Sequence, residues 1–564
     1  MTKYFNWIIC SIFLLGACAR QSAPTGGPKD TIPPQLVRVN PAHETVNFNA
    51  KKIELEFSEH IILNNPKDQL IVTPNISKDY KLTYRRNLAT LELAEPLDSN
   101  TTYTFNFRDA IADITEKNPV RNLFIAYSTG TYIDSLQITG NVHNILAGTI
   151  PKEATVALHP KNDTFNIFQH PAPYFTKTDT KGNFKISHLK PGEYFLYTFE
   201  DKNRNLVVNS RTESFGFLAE EIKLTKNVDS IRLGLQRIDA GPLRLVSARP
   251  YNTYFNIRTS KALQSYTVSA PDSTQLTSTY GEDQANIRIY DTFSADSLLI
   301  HFKGIDSLQN AIDTTLYAKF LDRKVTPENF SFSVTNTSVL AHRGILRATL
   351  QFTKPIAHIA LDSIYYLVDS TQTIKFQLSD FTWHPDTRKL ELQSSFNPNI
   401  FPAPERLAGP RSAPVQDQNQ PAAPKPINEL RFAKAAFLSI EGDTSAHNTQ
   451  TIKPLYEKDL AIININIETN EPDFIVQLLN NRNEIIQFVR NQHRVRFTDV
   501  QPGDYKIRLI IDRNQNGRWD PGNYEKRIEP EPIVYYLAPD GSQNIKGVKA
   551  NWEIGTEGEM LITW

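Results

Sequence analysis

Apolar and polar residues alternate with a period of two through most of this chain. In Lys52–Phe57 the residues Ile53, Leu55 and Phe57 fall on one side; Leu91 and Leu93 repeat the spacing, and Tyr103, Phe105 and Phe107 do so again. Successive side chains of an extended segment point to opposite faces, so each run predicts a strand with one buried face. Late in the chain Tyr505, Ile507, Leu509 and Ile511 alternate and then stop at an Asp/Asn/Gly cluster that starts at Asp512. Clusters of Asn, Asp, Pro and Gly also separate the other runs, and short strands spaced by turn residues predict antiparallel sandwiches. Few stretches could make a long amphipathic helix. The expected fold class is all-β, a tandem array of β-sandwich modules.

Composition narrows this in three ways. The 564 residues suffice for about four ordinary domains, or for more if they are small sandwiches. The 61 basic and 61 acidic residues cancel, which removes any electrostatic reason to expect nucleic acid or an anionic surface as partner. The start has the layout of a secretory signal: Lys3 in a short polar lead, a largely apolar Trp7–Gly16, and small residues before Cys18. That apolar run is shorter than the ~20 residues that span a bilayer. Of the two cysteines, Cys10 would leave with the signal, so no thiol beyond Cys18 remains for a disulfide or a thiolate metal site.

Several segments resemble known families. Leu15-Gly16-Ala17-Cys18 looks like a bacterial lipobox. The resemblance implies a signal peptide at 1–17, lipidation of Cys18 with acyl chains such as palmitate, and a flexible tether at 18–34. A signal cut elsewhere or an ordinary membrane anchor is the alternative. Ala19 rather than Asp after the cysteine implies, by the same resemblance, the outer membrane of a Gram-negative cell. Residues from about 31 to 130, from which a domain at 35–131 is expected, resemble the bacterial Ig-like domain through DTIPPQLVRVNPA, LATLELAEPLDSNTTYTFNF and the closing STG, with Lys117 where the family's turn has glycine. Residues 136–240 resemble the transthyretin-like or carboxypeptidase-regulatory sandwich through Thr178, Asp179, Gly182, Phe184, Leu189, Pro191, Gly192 and Tyr194. Phe184 and Tyr194 read as core aromatics, and Asp179 and Gly182 as a turn.

Echoes of these patterns place divergent Ig-like sandwiches at 241–331 and 332–450, the latter interrupted by a Pro- and Ala-rich insertion at 398–426 and closed by a strand over Leu430–Ser445. Val500-Gln501-Pro502-Gly503-Asp504-Tyr505 matches Leu189-Lys190-Pro191-Gly192-Glu193-Tyr194, so 455–564 forms a second transthyretin-like module. Five modules in this order predict a rod or arch, each with its own core.

The most specific candidate for chemistry is the loop after Gly503–Ile511. Counted as a calcium loop it offers Asp512, Asn514 and Asn516, Gly517 at the sixth position, the Arg518 carbonyl at the seventh and Asp520 at the ninth. The twelfth position is Asn523 instead of a bidentate Glu, and Glu525 lies two residues beyond. Asx turns with Trp519 packed over them explain the same residues without a metal. Asp201, Asn203 and Asn205 repeat the spacing, but Leu206 and Asn209 stand where Gly517 and Asp520 do.

The twelve histidines form no His-Glu-x-x-His, and no Gly-x-Ser-x-Gly or phosphate-binding loop occurs; Gly26-Gly27-Pro28 sits in the tether with no helix after it. Glu220-Glu221 reads as a solvated pair. Tyr251, Tyr254 and Phe255, or Tyr365 and Tyr366, form either a stacking platform for sugar or ordinary core. The chain resembles Ig-like lipoproteins of Bacteroidetes-type bacteria. The expected function is a non-enzymatic, lipid-anchored envelope scaffold or binding module with a protein or glycan partner. A glycan-binding subunit and an envelope hydrolase with its site at a domain junction are the alternatives.

Overall fold

The computed structural model describes residues 29–76, 79–162, 164–291, 296–320, 326–401, 425–556 and 558–564. Cys18 with its lead-in, Gly26-Gly27-Pro28 and most of the 398–426 insertion lie outside the described residues. Strands hold 48% of the chain and helices 4%, so sheets alone build the cores, as the alternation predicted.

In the first module Leu36–Asn40, Lys52–Phe57, Leu88–Leu93 and Tyr80–Arg85 form one sheet, and Ile71–Thr73, Thr102–Asn106 and Phe124–Ser128 a second. Register sets Ile53 opposite Leu91 and Leu55 opposite Ala89, and these residues share one core with Phe105, Ile125 and Tyr127. Lys117, which stands where the family's turn has glycine, takes the left-handed conformation itself, at φ 60°. The buried Asp113 carboxylate pins the turn by accepting the amides of Glu116 at 2.7 Å, Lys117 at 2.9 Å and Asn118 at 3.0 Å.

The second module pairs Leu136–Asn144 with Asn183–Leu189 antiparallel and with Val228–Leu235 parallel. Its other sheet carries Tyr174–Lys177, Thr155–Pro160, Gly192–Phe199 and Phe215–Phe217, with Ile222–Leu224 alongside Gly192–Phe199. Phe184 and Tyr194 lie in the core between the sheets, and Gly182, at φ 80°, turns the hairpin under the Asp179 carboxylate. The last module repeats the plan. Ala461–Glu468 pairs with Arg494–Val500, and Phe474–Asn480 lies between Ile485–Arg490 and Gly503–Ile511.

Between them, Leu245–Tyr251, Tyr254–Thr259, Asn286–Ile289 and Ser278–Tyr280 face Leu263–Ser269, Leu298–Asp306 and Ala311–Ala318 across a core that contains Phe255, Ile257, Ile300 and Phe302. The fourth core is closed by Phe332–Leu340, Ile345–Phe352 and Lys389–Ser395 on one side and Ile364–Leu367 and Glu429–Phe432 on the other. The expected single strand over Leu430–Ser445 is two, Glu429–Phe432 and Phe437–Ser439, separated by a turn at Ala433–Ala436. Asn448–Thr451 and Pro454–Leu455 add further edges to the same sheets.

The modules do not extend as a rod, because the last one folds back on the second. Thr155–Pro160 and Phe474–Asn480 break the alternation rule, being buried at nearly every position. Val156 and Leu158 face the second module's own core while Ala157 faces outward, into a cluster with Tyr197, Phe199, Phe215 and Phe217 that Tyr524 helps to cover. Ile475 and Leu479 likewise leave the fifth core and meet Ile510, Ile533, Tyr535 and Ile145 of the second module. Burying such a side chain contributes about 1.5–3 kcal/mol, so this shared face is a substantial part of the stability. Further contacts complete the ring. Arg388 of the fourth module donates to Thr279 Oγ1 at 2.8 Å and the Gly281 carbonyl at 3.2 Å of the third. Asp499 of the fifth is held by His342 and Arg343 of the fourth, each at 3.1 Å.

Candidate functional site

The Asp512 loop follows Gly503–Ile511, whose inward face anchors it through Leu509 and Ile511. Asp512 is buried, and its two carboxylate oxygens accept the amides of Asn516 at 3.1 Å and Gly517 at 2.8 Å. Gln515 and Gly517 both take left-handed backbone, φ 62° and φ 79°. Asn514 Oδ1 accepts the Asn516 amide and Asn516 Oδ1 the Arg518 amide, at 3.1 Å and 3.0 Å. Both asparagines donate through Nδ2 to Asp520 Oδ2, Asn514 at 2.6 Å. Trp519 packs instead on the apolar cluster of Ile145, Ile475 and Ile510, its Nε1 donating to the Glu531 carbonyl at 2.8 Å. The five expected residues are therefore together, with Asp512 and Asp520 tied through the asparagines. Among the described residues no three His, Cys, Asp or Glu side chains are grouped so that they could hold a metal ion.

The earlier copy has the same backbone. Asp201 accepts the amides of Asn205 at 3.0 Å and Leu206 at 3.2 Å, and Arg204 and Leu206 take φ 59° and φ 60°, the conformations of Gln515 and Gly517. A leucine thus occupies the position where the later loop has glycine. A residue that spacing did not single out braces each loop. Glu213 accepts the amides of Lys202 at 2.9 Å and Asn209 at 2.8 Å, and Glu531 accepts the amide of Asp520 at 2.9 Å. Asn209 and Asp520 stand at the same offset from Asp201 and Asp512, so the two glutamates are counterparts. The sequence signal was faint: each is an acid beyond the turn, at different distances, with no periodicity to mark it. Glu525 does not enter the loop; it is exposed beside the second module's Asn203, Asn205 and Asn209.

The chain after Asp520 is the plug that joins the modules. The Pro521 carbonyl accepts from Gln236, Asn523 Nδ2 donates to the Leu308 carbonyl of the third module at 2.8 Å, and the Ala219 amide donates to Glu529 at 2.8 Å. Tyr524 meets Phe168 and Phe217 edge-on, and the Arg527 guanidinium lies 4.0 Å from the Phe195 ring centre.

The other expected sites resolve as structure. Tyr254, Phe255 and Tyr366 are buried, leaving Tyr251 as the exposed member of its group, so no stacking platform forms there. Glu221 pairs with Lys161 at 2.5 Å, while Glu220 is exposed. No helix among the described residues is long and apolar enough to cross a membrane.

Residues 30–129 match the family model of the bacterial Ig-like domain, so the chain carries an Ig-like domain in an otherwise all-β array. No curated protein matches the chain. Among solved structures it is similar to dimeric latent PorU from Porphyromonas gingivalis, at 7% identity and TM-score 0.22, covering 60% of this chain and 36% of that one. A streptococcal ancillary pilin matches at 11% identity and TM-score 0.15, over 44% of this chain and 81% of that one. Protocadherin gamma B2 extracellular domains 1–5 match at 10% identity and TM-score 0.13, over 85% and 96%. At these scores the likenesses carry no argument about architecture or activity.

Proposed function

We propose that this chain is a lipid-anchored protein of a Gram-negative, Bacteroidetes-type envelope, held in the outer membrane through acyl chains on Cys18, and that it acts without catalysis as a scaffold or binding module. The observation that supports this reading is the closed frame. The Asn523 and Gln236 contacts tie the fifth module to the third and second, and Asp499 ties it to the fourth. Modules fixed to one another present surfaces at constant separation, which a scaffold requires and a string of flexible beads lacks. The balanced charge favours a protein or glycan partner over nucleic acid. Acyl chains at ~0.8 kcal/mol per buried methylene hold such a frame at the membrane.

The test is expression of wild type and Cys18→Ala in a Gram-negative host fed a clickable palmitate analogue. Label and outer-membrane fractionation are expected for wild type, and loss of both for the variant. An unlabelled wild type, or a variant that fractionates unchanged, refutes the anchor.

Glycan binding is favoured by one feature, a groove where the second and fifth modules meet. Asn166, Gln169, Asn203, Asn205 and Asn209 line it beside Phe168. Amides next to an aromatic face suit sugar hydroxyls. Glycan-array binding that Phe168→Ala abolishes is expected, and silence of the wild type on the array rejects this reading.

A further inference from the structure

Lys354 is 1% exposed, at the junction of the strands Ile345–Phe352 and Ile356–Ile359 beside the fourth core. Its Nζ meets Glu441 Oε2 and Asp443 Oδ2, each at 2.5 Å. The backbone holds this trio in place. Ser439 Oγ accepts the amides of Glu441 at 3.2 Å and Asp443 at 3.1 Å, and the Ile440 amide donates to the Pro355 carbonyl at 3.0 Å, which pins the acidic turn to the residue after Lys354. The two acids differ. The Asp443 side chain is 40% exposed, whereas that of Glu441 is 12% exposed and its Oε1 is buried without a hydrogen-bond partner. A dry, unpartnered oxygen on a charged carboxylate costs more than one on a neutral carbonyl. A second buried lysine shows the contrast. Lys261 Nζ donates to the Asp239 and Gly241 carbonyls at 3.2 Å and 2.6 Å as well as to Asp306, whose carboxylate also accepts the amides of Leu308 and Asn310, so both charges there are fully solvated by the protein.

From this geometry we propose that Lys354 and Glu441 join in an intramolecular amide cross-link, Nζ to Cδ, with Asp443 carrying the protons. Ammonium and carboxylate together lose one water, so no oxidant or further reactant is needed. Burial opposes the Lys354 charge, but Asp443 and Glu441 outweigh it and hold the pKa above the ordinary 10.5, so the trio starts as an ion pair. An ammonium has no lone pair. Asp443 therefore takes one proton along its hydrogen bond and hands it to Glu441 Oε2, which leaves a neutral amine beside a neutral acid. The amine adds to Cδ, the second proton follows the same route, and Oε2 departs as water toward the exposed side of Asp443. Asp443 ends as the carboxylate it was. Holding amine and acid in contact substitutes for roughly 10⁵–10⁸ M of free reactant, which is what drives a condensation that open water opposes. The link would span 87 positions and clasp Ile356–Ile359 to Phe437–Ser439 at the end of their pairing, where Ile356 lies opposite Ser439. No cysteine follows Cys18, so no disulfide can serve there.

The test is peptide mapping of the full chain, freshly purified, denatured, digested with trypsin and read by tandem mass spectrometry. The expected product is a branched peptide joining 348–375 to 435–458, lighter than its two arms by one water, with fragments that place the bond at Glu441. Lys261 and Asp306 should appear in separate linear peptides. Asp443→Asn cannot carry the proton and should slow the link by about a hundredfold or more, read as loss of the branched peptide from freshly made protein. Its partly exposed side chain makes this the mild variant, and an unchanged circular dichroism spectrum shows that it has folded. A wild type that yields only linear peptides, a bond that maps to Asp443, or a branched peptide undiminished in Asp443→Asn overturns the proposal.

Discussion

Tyr524 of the fifth module meets Phe217 of the second edge to face, with ring centres 5.1 Å apart and planes at 89°. Phe168 faces the same tyrosine at 5.3 Å and 79°, so one side chain fills an aromatic notch on a distant module. Such pairs add about 0.5–1.5 kcal/mol to the burial itself. Tyr524→Ala is expected to destabilise the docked arrangement by about 2–4 kcal/mol, and Tyr524→Phe by under about 1.5 kcal/mol. Urea unfolding followed by tryptophan fluorescence reads this, because Trp519 lies in the same contact region. Equal stability of the alanine variant and wild type contradicts the plug.

Gly148 is the second point of docking. Its φ is 61°, and a Cβ there would stand 2.3 Å from Gln543 Nε2 and 2.5 Å from the Tyr535 ring. Gln543 donates to the Gly148 carbonyl at 2.7 Å, and the Tyr535 hydroxyl donates to the Leu146 carbonyl. Gly148→Ala combines a disfavoured conformation with overpacking, and a loss of about 2–4 kcal/mol is expected. Hydrogen exchange should quicken at Ile475 and Ile510, behind that contact, while the first core stays protected.

The Asp113 turn separates two effects at one site. Removing the carboxylate in Asp113→Ala leaves the turn amides of Glu116, Lys117 and Asn118 without their acceptor and should cost about 1–3 kcal/mol. Lys117→Gly relieves the left-handed penalty and should leave stability unchanged or raise it by up to about 1 kcal/mol. Thermal melts of the two variants in parallel are the measurement, with a lowered midpoint for Asp113→Ala and an unchanged or raised one for Lys117→Gly as the expected result.

Acid should weaken the third module through Asp306. Burial opposes its charge, but Lys261 at 2.6 Å and the Asn310 donors outweigh burial and hold its pKa below the ordinary 3.8. A depressed folded value means the stabilisation is complete above the unfolded pKa and fades as pH falls through the folded one. Urea midpoints measured from neutrality down past pH 3.8 should converge for wild type and Asp306→Asn. A gap that stays constant with pH would contradict the assignment.

Much of this was legible along the chain because a period of two reports burial directly: Ile53, Leu55 and Phe57 are all in the first core. The Pro-Gly-acid-Tyr repeat likewise marked two related modules, since such turns are set by local backbone preference. The run FIVQLL, apolar at every position but Gln477, carried a further signal, for strands apolar on both faces are buried on both, and that second face needed a cover. Glu531 was not legible. It reaches its loop across an excursion whose path depends on Tyr524 and Asn523 finding other modules, and no spacing rule records such a path.

The sequence by itself determined the strands, the turns and the inward face of each sandwich, because these follow from interactions between residues near one another along the chain. Only the tertiary structure decided that the fifth module closes onto the second and that Glu531 braces the loop at Asp520. Those outcomes depend on the fit of surfaces far apart in sequence, where Ile145 meets Ile475 and Tyr524 enters between Phe168 and Phe217.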